Sequence, residues 1–195
     1  MKIYDITPPL FSSEPYPGDI APTLERVCAI NEYNEFNISN ITMCLHNGCH
    51  IDSPFHCLDD GASVDRLAPE KFIGKCTVAS ADGPITAAWI EKNMPWDCKR
   101  LIINTHKSGY LMENAVFEIT RFNMELVGID MPSVASIESD GAVHRELLMN
   151  NIAVLEGLDL DGVSDGEYFL VCPPLKIDSA EASPCRALLI KGIEL

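Results

Sequence analysis

Positive charge is scarce in this chain. Fourteen Lys and Arg stand against 29 Asp and Glu, a formal net charge of −15 over 195 residues. Such a surface repels polyanions, so nucleic acid and anionic membrane are not expected partners. No run of 18 apolar residues occurs, so no transmembrane helix is expected. The opening stretch Met1–Asp19 holds four prolines and lacks the apolar run of a secretion signal. No CxxC pair exists among the cysteines at 28, 44, 49, 57, 76, 98, 172 and 185, which excludes zinc ribbons and thioredoxin-type redox motifs. Cysteine makes up about 4% of the chain, below the ~8–10% of disulfide scaffolds. Reduced, mostly buried thiols in a cytoplasmic protein are the expected state. GxGxxG and GxxxxGKS/T are both missing, so nucleotide binding has no support. Internal repeats, low-complexity tracts and long linkers are missing too.

What remains suits one globular domain over 1–195. Hydrophobic residues make up 47% and charged residues 22%, and a chain of this size buries roughly 70% of its unfolded surface. Apolar segments predict strands at Lys2–Ile6, Ile38–Met43, Cys76–Ala81, Arg100–Thr105, Leu126–Asp130, Asn151–Leu158, Tyr168–Cys172 and Arg186–Ile190. Leu101–Ile103 and Ala187–Ile190 are continuous apolar runs, as in strands covered on both faces. Ile85–Met94 carries apolar residues at 85, 89, 90 and 94, a helical stripe that Pro95 stops. Val143–Met149 is a second helix candidate, and Asp65–Phe72 a short one opened by Pro69. Strands mixed with helices imply an α/β or α+β architecture.

Of five histidines, three fall within eleven residues: His46, His50 and His56, with Asp52 among them. Positions 46, 50, 52 and 56 share parity, so an extended chain turns them to one side. A helix is disfavoured there by Gly48 and by Pro54, which pushes Ser53 extended. His46 is therefore placed near a strand end and the others on an irregular turn after it. Imidazoles and a carboxylate converging from one short segment are ligands for a first-row metal, with a coordination position left for water. Glu156 lies inside the apolar run Ile152–Leu158, where an unpaired carboxylate is costly. With His144 it forms a second candidate ligand pair. A salt bridge to Arg145, or an exposed strand end, explains Glu156 equally well.

Other motifs carry less. Gly162-Val163-Ser164-Asp165-Gly166 spells GxSxG, but a strand-like Tyr168–Val171 follows it and no histidine comes after His144, so it reads as a polar turn. Asp159-Leu160-Asp161-Gly162 resembles the start of a calcium loop, but Ser164 replaces the required glycine at its sixth position. A cysteine nucleophile at Cys49 or Cys57 is conceivable beside histidines, unless those imidazoles are engaged by metal.

The segment His46-x-Gly48-x-His50-x-Asp52-x-Pro54-x-His56 resembles the HxGTHxDxPxH signature of the putative cyclase family, which includes bacterial kynurenine formamidase and isatin hydrolase. Weaker likenesses keep the family's order along nearly the whole chain. They are Tyr16-Pro17-Gly18-Asp19, Phe72-Ile73-Gly74, Gly128–Ser133, His144 with Val154–Leu158, Pro174–Ile177 and Ser183–Ala187. The resemblance implies a swivelling β/β/α domain with a mixed sheet, in dimers or larger oligomers. It implies one or two ions of zinc or manganese. His46, His50 and Asp52 would hold the first, and Asp52 would bridge to a second held by His144 and Glu156. His56 would be the proton shuttle. The implied activity is hydrolysis of a small amide, formamide or lactam; the alternative is a non-catalytic metal- or small-molecule-binding protein retaining the fold. The chain departs from the pattern at Cys49, in place of Thr, at His106, and at Ser179-Ala180-Glu181-Ala182, where relatives tend to have glycines.

Overall fold

A computed structural model describes residues 1–192; positions 193–195 of the expected domain lie outside the described residues. In chain order the strands are β1 (Lys2–Asp5), β2 (Thr23–Cys28), β3 (Ile38–Thr42), β4 (His50–Asp52), β5 (Ile73–Ser80), β6 (Arg100–Asn104), β7 (Leu126–Ile129), β8 (Ala153–Glu156), β9 (Gly166–Val171), β10 (Ala182–Pro184) and β11 (Leu188–Lys191). The α-helices are α1 (Ala87–Asn93), α2 (Glu113–Thr120) and α3 (Asp140–Met149). Nine strands form one mixed sheet in the order β1-β11-β9-β5-β6-β7-β8-β4-β10, and β2 and β3 form a separate hairpin.

β5 to β8 run parallel at the centre. Their side chains alternate between two apolar layers, as the strand period requires. Val127 and Ile129 face a layer shared with Ile90 of α1, Val116 and Ile119 of α2, and Val143 and Leu147 of α3. Leu126 faces the other layer, with Ile102, Leu155, Phe72, Tyr168, Leu170 and Leu189. Each fully buried aliphatic side chain contributes about 1.5–3 kcal/mol.

The sheet curls until its two ends meet. Residues 182–184 pair with β4 at one end, and 188–191 pair with β9 and β1 at the other, so one short segment joins both edges.

The expected α/β mixed sheet is present, with adjustments at several elements. β4 is a strand where an irregular turn was expected, because its three residues find partners on both sides, in β8 and β10. Leu188–Lys191 is apolar in sequence but covered on one face only, alternating buried and half-buried positions. The Asp65–Phe72 stretch holds two separate 3-10 turns, Val64–Arg66 and Pro69–Phe72, rather than a continuous helix. β2, β10 and α2 were not foreseen. α2 is short and rich in β-branched residues, which weakens its helical signal. α1 begins where Thr86 caps the Trp89 amide at 3.3 Å and ends before Pro95.

Candidate metal centre

The cluster forms on the helix-covered side of the sheet, at the C-terminal end of parallel strand β8. Ladder register builds half of it. His50 lies opposite Glu156 and Asp52 opposite Val154, so His50, Asp52 and Glu156 point to one face while Ile51 and Leu155 point into the other layer. α3 packs on β8 and supplies His144, buried beside Val143, Leu147 and Leu148. A tight turn supplies His46, with Asn47 Oδ1 accepting the Cys44 amide at 2.9 Å. His56 comes from the 3-10 turn Pro54–His56.

The parts are close. Glu156 Oε1 lies 2.9 Å from His144 Nε2, and Glu156 Oε2 lies 3.2 Å from His50 Nε2. Asp52 sits between them. Its Oδ1 is 3.0 Å from His46 Nδ1 and 3.4 Å from His50 Nε2, and its Oδ2 is 3.5 Å from His144 Nε2. The His56 ring centre lies 4.5 Å from that of His46 and 5.6 Å from that of His144. Two overlapping donor sets each fall within 4.8 Å: His46, Asp52 and His56, and His50, Asp52 and Glu156. All six singled-out residues thus meet, and Asp52 belongs to both sets. His56 stands closer to His46 and Asp52 than a purely outer position requires. Glu156 is not paired with Arg145; it accepts a hydrogen bond from the Val134 amide at 2.7 Å and meets His144 Nε2 at 2.9 Å.

Carbonyl oxygens orient two of the rings. His50 Nδ1 contacts Gly48 O at 3.0 Å and His144 Nδ1 contacts Asp140 O at 2.9 Å. With Nδ1–H donating outward, Nε2 is the nitrogen turned to the centre, the arrangement that holds an imidazole ready for metal.

The electrostatics set carboxylates against imidazoles. Burial works against the His144 imidazolium, but the hydrogen bond to Glu156 and the charges of Glu156 and Asp52 overcome it and push His144 up to about 10. Burial likewise opposes a charged His50, and Asp52 and Glu156 still hold it well above an ordinary imidazole. Burial would raise Asp52, yet His50 and His46 hold it well below the usual carboxylate range. His56 goes the other way: lost hydration pushes it down, so it is neutral near pH 7.

One observation tests whether a cation fits. Both oxygens of Asp52 and the Nε2 of His50 are buried without a hydrogen bond. His46 Nδ1 is near but not aligned to donate. A carboxylate out of water without donors is strongly disfavoured unless a positive group meets it. The donor set of imidazole nitrogen and carboxylate oxygen suits a divalent metal ion. A cleft of about 130 Å³ opens onto the cluster, lined also by Tyr16, Asp19, Ser133 and Asp140.

Sequence reading assigned these last residues no role, although Tyr16, Asp19 and Ser133 lie in stretches it picked out. Glu181, with Oε1 3.7 Å from His46 Nε2, lies in the stretch that departs from the family pattern. His106 lies on an exposed turn, outside both donor sets. Asp130 anchors that turn by accepting from the Thr105 amide and hydroxyl and the Lys107 amide.

The family model described as putative cyclase matches residues 4–136, more than half the chain. That stretch includes His46–His56 and stops short of His144 and Glu156. A solved structure described as a potential metal-dependent hydrolase with cyclase activity is 26% identical, covers 96% of each chain and superposes with TM-score 0.83. Another, described as a predicted metal-dependent hydrolase from Bacillus stearothermophilus, is also 26% identical, covers 96% of this chain and 97% of its own, and has TM-score 0.84. Isatin hydrolase A from Ralstonia solanacearum shares the fold at 22% identity, covering 97% of this chain and 92% of its own, with TM-score 0.83.

Proposed function

The chain belongs to the putative cyclase family, and from that premise we propose that it is a metal-dependent hydrolase of a small amide, formamide or lactam. The reading rests on the two oxygens of Asp52, buried without hydrogen bonds at the meeting point of His46, His50 and His144. His46, His50 and Asp52 would hold one divalent cation, zinc or manganese. Asp52 with His144 and Glu156 would hold a second. When bound, such a cation polarises a carbonyl oxygen and makes water acidic enough to attack near neutral pH. The substrate classes this reading carries are the kynurenine formamidase-like and the isatin hydrolase-like.

The chain's own residues supply the proton path. Neutral His56 accepts the proton of the attacking water on a ring nitrogen and returns it to the leaving nitrogen, which departs poorly unless protonated. Its exposed edge faces solvent, while its ring lies near those of His46 and His144. A buried, closed ligand set would favour the non-catalytic alternative; the open cleft beside His56 favours catalysis.

His56→Ala decides the role. The variant is expected to keep its metal by elemental analysis and to lose about 10²–10⁴-fold in turnover of N-formylkynurenine, isatin or a simple formamide, the usual weight of a general acid–base group. Loss of metal instead would make His56 a ligand with His46 and Asp52, a grouping their proximity permits.

The same reading places the enzyme in the cytoplasm as a homo-oligomer. Eight unpaired cysteines suit a reducing compartment. Among the described residues no helix is long and apolar enough to cross a membrane. The β2–β3 hairpin exposes Leu24, Val27, Ile38 and Ile41, a surface that a second copy would cover.

A further inference from the structure

Cys49 stands where the resembled signature carries Thr, directly before the candidate ligand His50. Across the ladder from it is another thiol. β4 and β10 pair with Asp52 opposite Ala182, Ile51 opposite Ser183 and His50 opposite Pro184. One step further, Cys49 faces Cys185, and the Cys185 amide donates to the Cys49 carbonyl at 3.0 Å. The two sulfurs are 3.5 Å apart.

We propose that Cys49 and Cys185 form an oxidation site, at which a peroxide joins them in a disulfide that staples β10 to the ligand-bearing strand β4. Directly opposed residues of an antiparallel pair have Cα atoms about 4.5–5.5 Å apart. That spacing falls inside the roughly 4.4–6.8 Å a disulfide spans, so side-chain rotation can bring the sulfurs to ~2.05 Å with little backbone movement. Two of the other buried thiols are directed elsewhere. Cys98 donates to Arg100 O at 3.2 Å and Cys172 to Phe72 O at 3.6 Å.

The two members differ in access. Cys49 is buried, while Cys185 is half-buried and meets a dissolved oxidant first. The Cys185 sulfur attacks one peroxide oxygen, the O–O bond breaks, one water leaves and a sulfenic acid remains. The Cys49 sulfur attacks the Cys185 sulfur, the S–O bond breaks and the hydroxyl leaves as a second water. Two thiols are oxidised and one peroxide is reduced to two waters. A dithiol reductant reverses the bond.

The location gives the staple a consequence. Residues 182–191 join the two ends of the sheet, and Cys185 lies between the part paired with β4 and the part paired with β9 and β1. The bond fixes that closure beside His50. It stands apart from the hydrolase reading, because it needs neither metal nor substrate.

The test uses the reduced, purified full chain and hydrogen peroxide, read by intact mass and by peptide mapping without reductant. The expected result is a loss of about 2 Da, the two thiol hydrogens, with a peptide linking Cys49 to Cys185 that dithiothreitol releases. Cys185→Ser should show no such loss, and Cys49→Ser should gain about 16 Da at Cys185 as the sulfenic acid stays unresolved. A linkage through Cys172 or any other cysteine, an unlinked wild-type map, or the same 2 Da loss in Cys185→Ser overturns the proposal. If either variant fails to fold, the wild-type peptide map decides alone.

Discussion

At Asp52 two buried oxygens face three histidines and no aligned donor. Replacing the carboxylate with an amide of the same shape removes its charge and puts an NH₂ among the imidazoles. Asp52→Asn is expected to lower metal affinity by more than the ~10–100-fold typical of residues behind a ligand, measured as metal retained through dialysis against a chelator. The metal-free protein should also show the imidazole charges. His144 is pushed from 6.5 up to about 10 in the folded state. The stability this contributes is fully present below 6.5 and is lost as pH rises toward 10. The unfolding midpoint of the chelator-treated protein should therefore fall from pH 6.5 to pH 10, and a flat profile would contradict the imidazolium–carboxylate pairing. At this scale the sequence was informative where ligands are neighbours in the chain. His46, His50, Asp52 and His56 announce themselves by density, and Glu156 by being charged within an apolar strand. Asp140 gave no such signal: the carbonyl that meets His144 Nδ1 is one any residue type offers, and its carboxylate, 3.4 Å from the same nitrogen, sits in a polar stretch. Glu181 comes within reach of His46 only through strand pairing.

Among elements, the junction of β8 with the turn before β4 is the tightest. Gly157 has φ +69°, and a Cβ there would lie 2.2 Å from the Gly48 carbonyl oxygen. Gly48 itself orients the His50 ring, so the two strands that carry the cluster are fitted together backbone to backbone. Gly157→Ala adds a left-handed penalty of about 1–2 kcal/mol and a clash that backbone must relieve. Denaturant unfolding should show a loss of at least ~2 kcal/mol, with weakened metal retention as Gly48 is displaced. The central strands were legible because β6 and β7 are apolar at successive positions, and α1 because of its apolar stripe and the Pro95 that stops it. β4 and β10 were not legible. Three residues carry too little periodicity, and both exist as strands only because partners distant in sequence provide hydrogen bonds.

Over the whole molecule, two features depart from a closed globule. The β2–β3 hairpin keeps ten of its eleven strand residues exposed, with Leu24 opposite Ile41 in register. A two-stranded ribbon is at best marginally stable by itself in water. Placing Glu at both Leu24 and Ile41 should reduce the solution mass to that of one 21.5 kDa chain, measured by light scattering after gel filtration; a wild-type mass of one chain would refute the oligomer. The overall class followed from the alternation of strand and helix patterns, but strand order did not. Order depends on which distant edges meet, and composition does not record that.

The second feature is the join made by residues 182–191. During synthesis it is translated after every other strand of the sheet, and β4 must wait for β8, more than a hundred residues downstream, before its first ladder forms. Pairings so remote in sequence are late and slow events. A chain halted before residue 182 therefore carries most of its hydrophobic interior but holds His50 and Asp52 on an edge that still lacks its second partner strand.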